Sequence, residues 1–311
     1  MPDYINNTWI WNKLNVGWRE FEYEGNAPFA ILLIHGFGAC KEHWRQNQNI
    51  IGKIAPCYSI DLIGFGDSSQ PASRLNGEKE LNSNFSYRFD NWGSQIADFS
   101  KEVIKKPVIL VGNSIGGVIA LRAAQYLNKD CIGLILINCA LRRMDDKRTN
   151  TQSELTNLFR PFIKSIIKSR WISKIIFINA ANRSFIKQVL KQAYPSRRNI
   201  NEELINIIYR PTSRSGASEA FHGFINNFND HIAPDLMKGI KKPVHLIWGE
   251  DDPWEPIEEA KEWLSSIQCI RSLKVIKNTG HCPHDENPNE VNKIILNIIQ
   301  EAIYASTESE H

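Results

Sequence analysis

Ser114 is the residue of this chain whose setting best suits covalent chemistry. It stands at the centre of Gly112, Asn113, Ser114, Ile115 and Gly116, a G-x-S-x-G pentapeptide entered from the apolar run 108–111 and left through the helix-forming run 117–121. A chain that ends a strand and begins a helix within five residues must turn sharply, and flanking glycines let neighbouring backbone approach without a Cβ clash. The helix that follows aims N–H groups and the positive end of its dipole at any anion beside the serine. A serine hydroxyl is a weak nucleophile and needs a base within hydrogen-bond reach, itself oriented by an acid.

Two later loops supply both groups. Residues 278–286 hold His281, the expected base, with His284 as the rival. Residues 248–256 hold Asp252, which precedes Pro253 and is preferred as the acid over Asp251; Glu250 and Glu255 read as solvated loop charges. The segment after the strand ending near Asn138 offers no carboxylate until Asp145. An acyl-transfer transition state also requires donors for its oxyanion. The N–H of Ile115 follows the nucleophile directly, and the N–H of Phe37, in His35, Gly36, Phe37 and Gly38, is the expected second donor. His35 is read as a brace for that loop, with Gly36 and Asn113 in supporting places. The remaining histidines His43, His222, His231 and His245 read as packing or surface residues.

These groups need elements that bring them to one edge. Continuous apolar runs at 29–34, 108–111, 132–137 and 244–248, with shorter ones at 57–60 and 272–276, read as strands buried on both faces. They alternate with helical segments at about 41–54, 91–105 and 289–304, which implies a mostly parallel sheet with helices on both faces. Residues 9–23 read as a hairpin at the sheet edge, and 72–84 as an irregular polar excursion. The alternation breaks between Asn138 and Val244. Residues 141–234 are therefore assigned to an inserted helical cap, and residues 1–140 and 235–311 to the core.

With 311 residues, 42% apolar and 23% charged, the chain has the composition of an ordinary globular protein. Six scattered cysteines without a C-x-x-C suit a reduced compartment. The expected location is cytoplasmic, since no signal peptide or apolar run of membrane-spanning length is read in the chain. No metal-ligand spacing or dinucleotide or Walker pattern is present, so the expected chemistry uses neither metal nor cofactor. The oligomeric state is left open.

Charge is unevenly placed. Residues 142–198 carry 14 Lys or Arg against 3 Asp or Glu, about +11, whereas the whole chain carries +3. Apolar and basic residues interleave at helical spacing over 158–178. One reading is a cap helix whose apolar face lines the substrate pocket. The other is an interfacial helix docking on anionic membrane lipid. No nucleic-acid motif accompanies the charge, so a nucleic-acid partner is not expected.

Taken together, H-G-F-G at 35–38, D-x-x-G-x-G-x-S at 61–68, G-x-S-x-G-G at 112–117, W-G-x-x-D-P at 248–253 and Gly280-His281 resemble the α/β-hydrolase superfamily. That resemblance implies the α/β-hydrolase fold, a Ser114–His281–Asp252 triad, and Phe37 and Ile115 as oxyanion donors. More narrowly, Trp9 and Trp11, residues 23–25, 35–39, 43–45, 61–66 and 112–117, and the loops at 248–257 and 280–283 are similar to the plant and cyanobacterial pheophytinase-like hydrolases. This implies a serine esterase acting on a hydrophobic, phytyl-type ester such as a chlorophyll derivative. G-N-S-x-G-G also resembles C–C bond hydrolases of the same fold, which carry Trp after the catalytic histidine where this chain has Cys282. A catalytically silent hydrolase fold that serves as a binding protein is the further alternative. Ser114 argues against the haloalkane dehalogenases and epoxide hydrolases that use aspartate as nucleophile.

Overall fold

The computed structural model describes residues 4–21, 23–81, 83–151 and 154–308. Strands β1 (Tyr4–Trp11) and β2 (Leu14–Phe21) form an antiparallel hairpin. Its two turn residues, Asn12 and Lys13, both take positive φ, as the tight turn requires. Then follow β3 (Ala30–Ile34), β4 (Cys57–Ile60), the short pair β5 (Ala72–Ser73) and β6 (Asn84–Phe85), β7 (Val108–Asn113), β8 (Cys131–Ile137), β9 (Val244–Gly249) and β10 (Ile270–Ile276). The eight-stranded sheet has the order β1-β2-β4-β3-β7-β8-β9-β10. Pairing is parallel from β4 to β10 and antiparallel at the hairpin edge.

The apolar strands are divided residue by residue between the two faces. Leu32, Ile34, Leu110, Leu134, Leu136 and Leu246 meet helices α2 (Phe89–Phe99), α3 (Ile115–Leu127) and α10 (Ile257–Ser266). Ile31, Leu33, Ile109, Val111, Ile135 and Ile247 meet α1 (Gln48–Ile51) and α12 (Pro288–Glu308). This two-sided burial is why these strands read as unbroken apolar runs.

Between β8 and β9 lie α4 (Glu154–Ile167), α5 (Arg170–Ala180), α6 (Arg183–Ala193), α7 (Glu202–Thr212), α8 (Ala217–Ile225) and α9 (Ala233–Met237). Ile186, Leu190, Tyr194, Leu204 and Ile205 form a small core of their own beside Cys282. Leu236 and Met237 of α9 already belong to the main core. Among the described residues no helix is long and apolar enough to cross a membrane.

Some local elements depart from their sequence reading. The helix expected over 41–54 divides into a 3-10 turn, Lys41–Trp44, and the short α1. Asn47 between them is non-helical, because its buried carboxamide donates to His284 O (2.8 Å) and Asn292 Oδ1 (2.7 Å). The helix expected over 91–105 starts at Phe89 and widens into a π turn over Ser100–Ile104, closed by left-handed Lys105. The excursion at 72–84 is tied down at its ends, where β5 pairs with β6 and Ser73 bonds to Glu219.

Arg45 fastens the inserted helices to the core. Its guanidinium donates to both carboxylate oxygens of fully buried Asp285 (2.8 and 3.1 Å), and reaches Asn199 O, Asn201 Oδ1 and Glu203 Oε2. Removing one partner of such a buried pair strands the other's charge. Arg45→Ala is expected to lower the unfolding free energy by about 3–5 kcal/mol. Urea denaturation of the variant beside the wild type measures this, and an unchanged midpoint would contradict it.

Candidate active site

Ser114 sits between β7 and α3 with φ 56° and ψ −122°, a left-handed backbone that L residues rarely adopt. Its environment enforces this. A Cβ on Gly112 would strike the Gly116 carbonyl, and one on Gly116 would strike the Ile34 carbonyl. The first turn of α3 therefore crosses the ends of β3 and β7 at a distance only glycine permits. Ser114 N donates to Ile137 O, and Ser114 O accepts from Gly117 N and Ala140 N, each at 3.0 Å. The peptide is held on both sides while the side chain borders a cavity of about 570 Å³.

His281 and Asp252 arrive at that cavity from the ends of β10 and β9. His281 Nδ1–H donates to Asp252 Oδ2 at 2.8 Å, which leaves Nε2 for the cavity. The Asp252 carboxylate has no side-chain exposure. It is satisfied by Trp254 N (2.9 Å) and Glu255 N (3.1 Å) on one oxygen and by Asn138 Nδ2 (2.6 Å) with His281 on the other. Burial disfavours its charge, but these bonds and the imidazole opposite outweigh that and hold its pKa below the usual value. Burial likewise favours neutral His281, yet Asp252 prevails and its pKa is raised. Asp251 and Glu250 are exposed. His284 is fully buried against Trp44 and His43, and burial drives its pKa well down.

The supporting residues fall around this pair. His35 Nε2 accepts from Leu62 N (3.1 Å), so Nδ1 carries the proton and donates to Gly36 O (2.7 Å). Burial brings its pKa to about 4, which keeps it a neutral brace for the 35–38 loop. A Cβ on Gly36 would come within 3.1 Å of Ser114 Cβ, so this loop lies directly against the serine. Phe37 stacks on Phe224 of α8 (4.1 Å between centroids) and lines the cavity with Ile115. Asn113 Nδ2 donates to His281 O (3.1 Å), tying the elbow to the histidine loop. His281 N in turn donates to Ala193 O at the end of α6 (2.8 Å). His43, His222, His231 and His245 hydrogen-bond to Tyr194, Ser173, Asp90 and Ser272.

Sequence reasoning missed three residues. Asn138, passed over because it is no carboxylate, anchors Asp252 and accepts from Gly249 N (3.0 Å) through Oδ1. Its position directly after β8, at the sheet edge that carries Ser114, was the available signal. Trp254 sets its ring edge-on to His281 at 4.9 Å. Glu255 corrects the reading of a solvated charge: it lines the cavity and accepts from Leu141 N (3.1 Å). Burial raises its pKa to about 7 against the pull of His281 and that N–H. A metal-like group among the described residues, Cys40, Glu42 and Asp61, is already served by the Lys41 ammonium, 2.9 Å from Asp61 and 3.1 Å from Glu42.

A parallel sheet with a strand–serine–helix elbow, and a histidine–carboxylate pair from the last two strands at the same edge, is the architecture of an α/β hydrolase. The profile of the Alpha/beta hydrolase family matches residues 31–294, and the chain belongs to that family. It is similar to an uncharacterized hydrolase, YugF, of Bacillus subtilis: 25% identical over 287 residues, 92% of this chain and 95% of that one. It is 24% identical to chloroplastic pheophytinase of Arabidopsis thaliana over 91% of this chain, which spans 63% of that protein's length. In fold it is similar to the CarC serine hydrolase involved in carbazole degradation, with a TM-score of 0.72, 18% identity, and coverage of 96% and 99% of the two chains.

If the raised His281 pKa belongs to the working base, kcat/KM for a soluble ester should fall on acidification with an apparent pKa above the ordinary 6.5. Asp252→Asn removes the group that raises it, so the acid limb should move to lower pH as the rate drops by about 10⁴-fold. A limb that stays in place would separate Asp252 from the base.

Proposed function

We propose that this protein is a cofactor-free serine esterase in which Ser114, His281 and Asp252 act as a triad. The observation that carries the reading is the Asp252–His281 hydrogen bond set against a cavity whose rim holds Ser114 in a strained elbow. His281 Nε2 takes the proton of Ser114 Oγ as that oxygen attacks the ester carbonyl. The charge that forms on the carbonyl oxygen meets the N–H groups of Phe37 and Ile115 and the N-terminal dipole of α3. Collapse expels the alcohol with the proton from His281. Water, deprotonated by the same imidazole, then releases the acid from Ser114. Asp252 holds the proton-bearing Nδ1 in place and balances the imidazolium.

The substrate class we propose is a hydrophobic ester of the phytyl type. The cavity wall is largely aliphatic and aromatic, with Phe37, Phe177, Phe221 and Phe224 among its residues. Its volume suits one lipid-like chain. The likeness to pheophytinase points to the same class.

A fluorophosphonate probe should label the wild type and not Ser114→Ala, and ester turnover in the variant should fall by about 10⁴-fold or more. Undiminished turnover in Ser114→Ala would defeat the mechanism, and failure of the folded wild type to label would favour a silent binding protein. A panel of short and long esters with chlorophyll and pheophytin, analysed for free phytol, tests the substrate. Cleavage of short esters without phytol release would leave the triad standing and remove the phytyl class.

A further inference from the structure

The outward faces of α4 and α5 carry a run of large apolar side chains that no other part of the protein covers among the described residues. Leu158 is 72% exposed and Phe162, one turn on, 66%, with Phe159 beside them. On α5, Trp171 is 67% and Ile178 59% exposed, and Ile175 lies between them at helical spacing. Three residues spaced i, i+4 and i+7 share one stripe of a helix. The opposite sides of both helices are the ones fixed to the protein. Buried Arg160 bonds to Met144 O and Asp146, and buried Ser173 bonds to His222 of α8 at 2.6 Å. Exposure of these side chains is therefore the folded arrangement, with the polar residues turned inward. Soluble proteins seldom leave contiguous apolar surface of this kind unoccupied.

The charge around the patch says what could cover it. Lys168 lies between the two helices, Lys174 lies beside the Trp171 stripe, and Lys187 and Lys191 follow on α6; all four are exposed. None of them forms an ion pair among the described residues, whereas Arg170 and Arg183 are held by Glu78, Glu219 and Glu202. An isologous contact with a second copy would set such lysines against each other. An anionic bilayer satisfies both features, apolar residues entering the acyl boundary and lysines meeting headgroups.

The patch also leads into the cavity. Phe177, Ala180, Ala181 and Phe185, at the corner of α5 and α6, line the cavity that Ser114 borders, and Phe185 is 44% exposed as well. Apolar surface thus runs from the outer face of α5 to the chamber beside the serine.

We propose that α4 and α5 dock on anionic membrane, so that a membrane-held ester passes from the bilayer past Phe185 to Ser114. The route rests on the reading of the cavity as a site for a hydrophobic ester; the docking does not.

The test is co-flotation of the full chain with vesicles of phosphatidylcholine, with and without phosphatidylglycerol, at low and high salt. Wild type and Ser114→Ala should float alike with the anionic vesicles, and less at high salt. Replacing Trp171, Ile175 and Ile178 together with Ser should reduce binding by about ten-fold or more. These three side chains lie outside the cavity lining, so turnover of a soluble short ester should stay within about two-fold, which also shows that the variant is folded. Lys168→Glu and Lys174→Glu should each weaken anionic binding by about five-fold. Failure of the wild type to float, or equal flotation of the serine variant of the stripe, overturns the proposal. So does a wild-type dimer that the stripe variant loses without any lipid binding. Ester turnover without flotation ends the docking and spares the esterase; flotation without turnover of any ester does the reverse.

Discussion

A left-handed backbone at one serine governs the arrangement of this protein. Ser114 reaches the cavity because the chain reverses from β7 into α3 within a few residues, and it can do so because Gly112 and Gly116 leave room for carbonyls that any Cβ would strike. The strain is offset by the hydrogen bonds of the Ser114 peptide to Ile137, Gly117 and Ala140. It yields two things at once: a serine side chain that borders the cavity above the sheet edge and the N-terminus of a buried helix beneath any charge that forms beside it.

The histidine–carboxylate pair depends on a different kind of constraint, the satisfaction of buried charge. Asp252 is tolerable inside the protein because two backbone N–H groups, an asparagine and the imidazole share its oxygens. Asn138 is the link that makes this cooperative, since it bonds to Asp252 with one end and to the last residue of β9 with the other. Asn113 does the same between the elbow and the His281 loop. The inserted helices take part too: Ala193 O receives His281 N, and Arg45 joins their loops to Asp285. Movement of these helices would therefore be felt at the histidine as well as at the cavity wall.

The core strands were legible because burial on both faces leaves a strong mark, an unbroken apolar run bounded by turns. The positions of Ser114, Asp252 and His281 at one sheet edge were legible for a related reason, each lying a few residues beyond such a run. The short elements between β3 and β4 were not, because their conformation follows from the buried side chains of Lys41, Arg45 and Asn47, whose partners lie as far away as His284 and Asn292. Glu255 was misread for the same reason: a glutamate in a polar loop looks solvated until the Leu141 N–H and a cavity wall close around it.

The order of strands and glycines along the chain was enough to specify a hydrolase fold and the residue types gathered at one edge of its sheet, since these rest on local patterns of burial and turn formation. Folding in three dimensions settled which of two adjacent aspartates turns inward, gave an asparagine 114 positions from Asp252 a place beside it, and turned the apolar stripe of α5 outward while its other side walls the cavity. Hydrophobic spacing defines a helix face but not what lies against it. That depends on side chains such as Arg160 and Ser173, whose polar groups find their partners, Asp146 and His222, on the inner side.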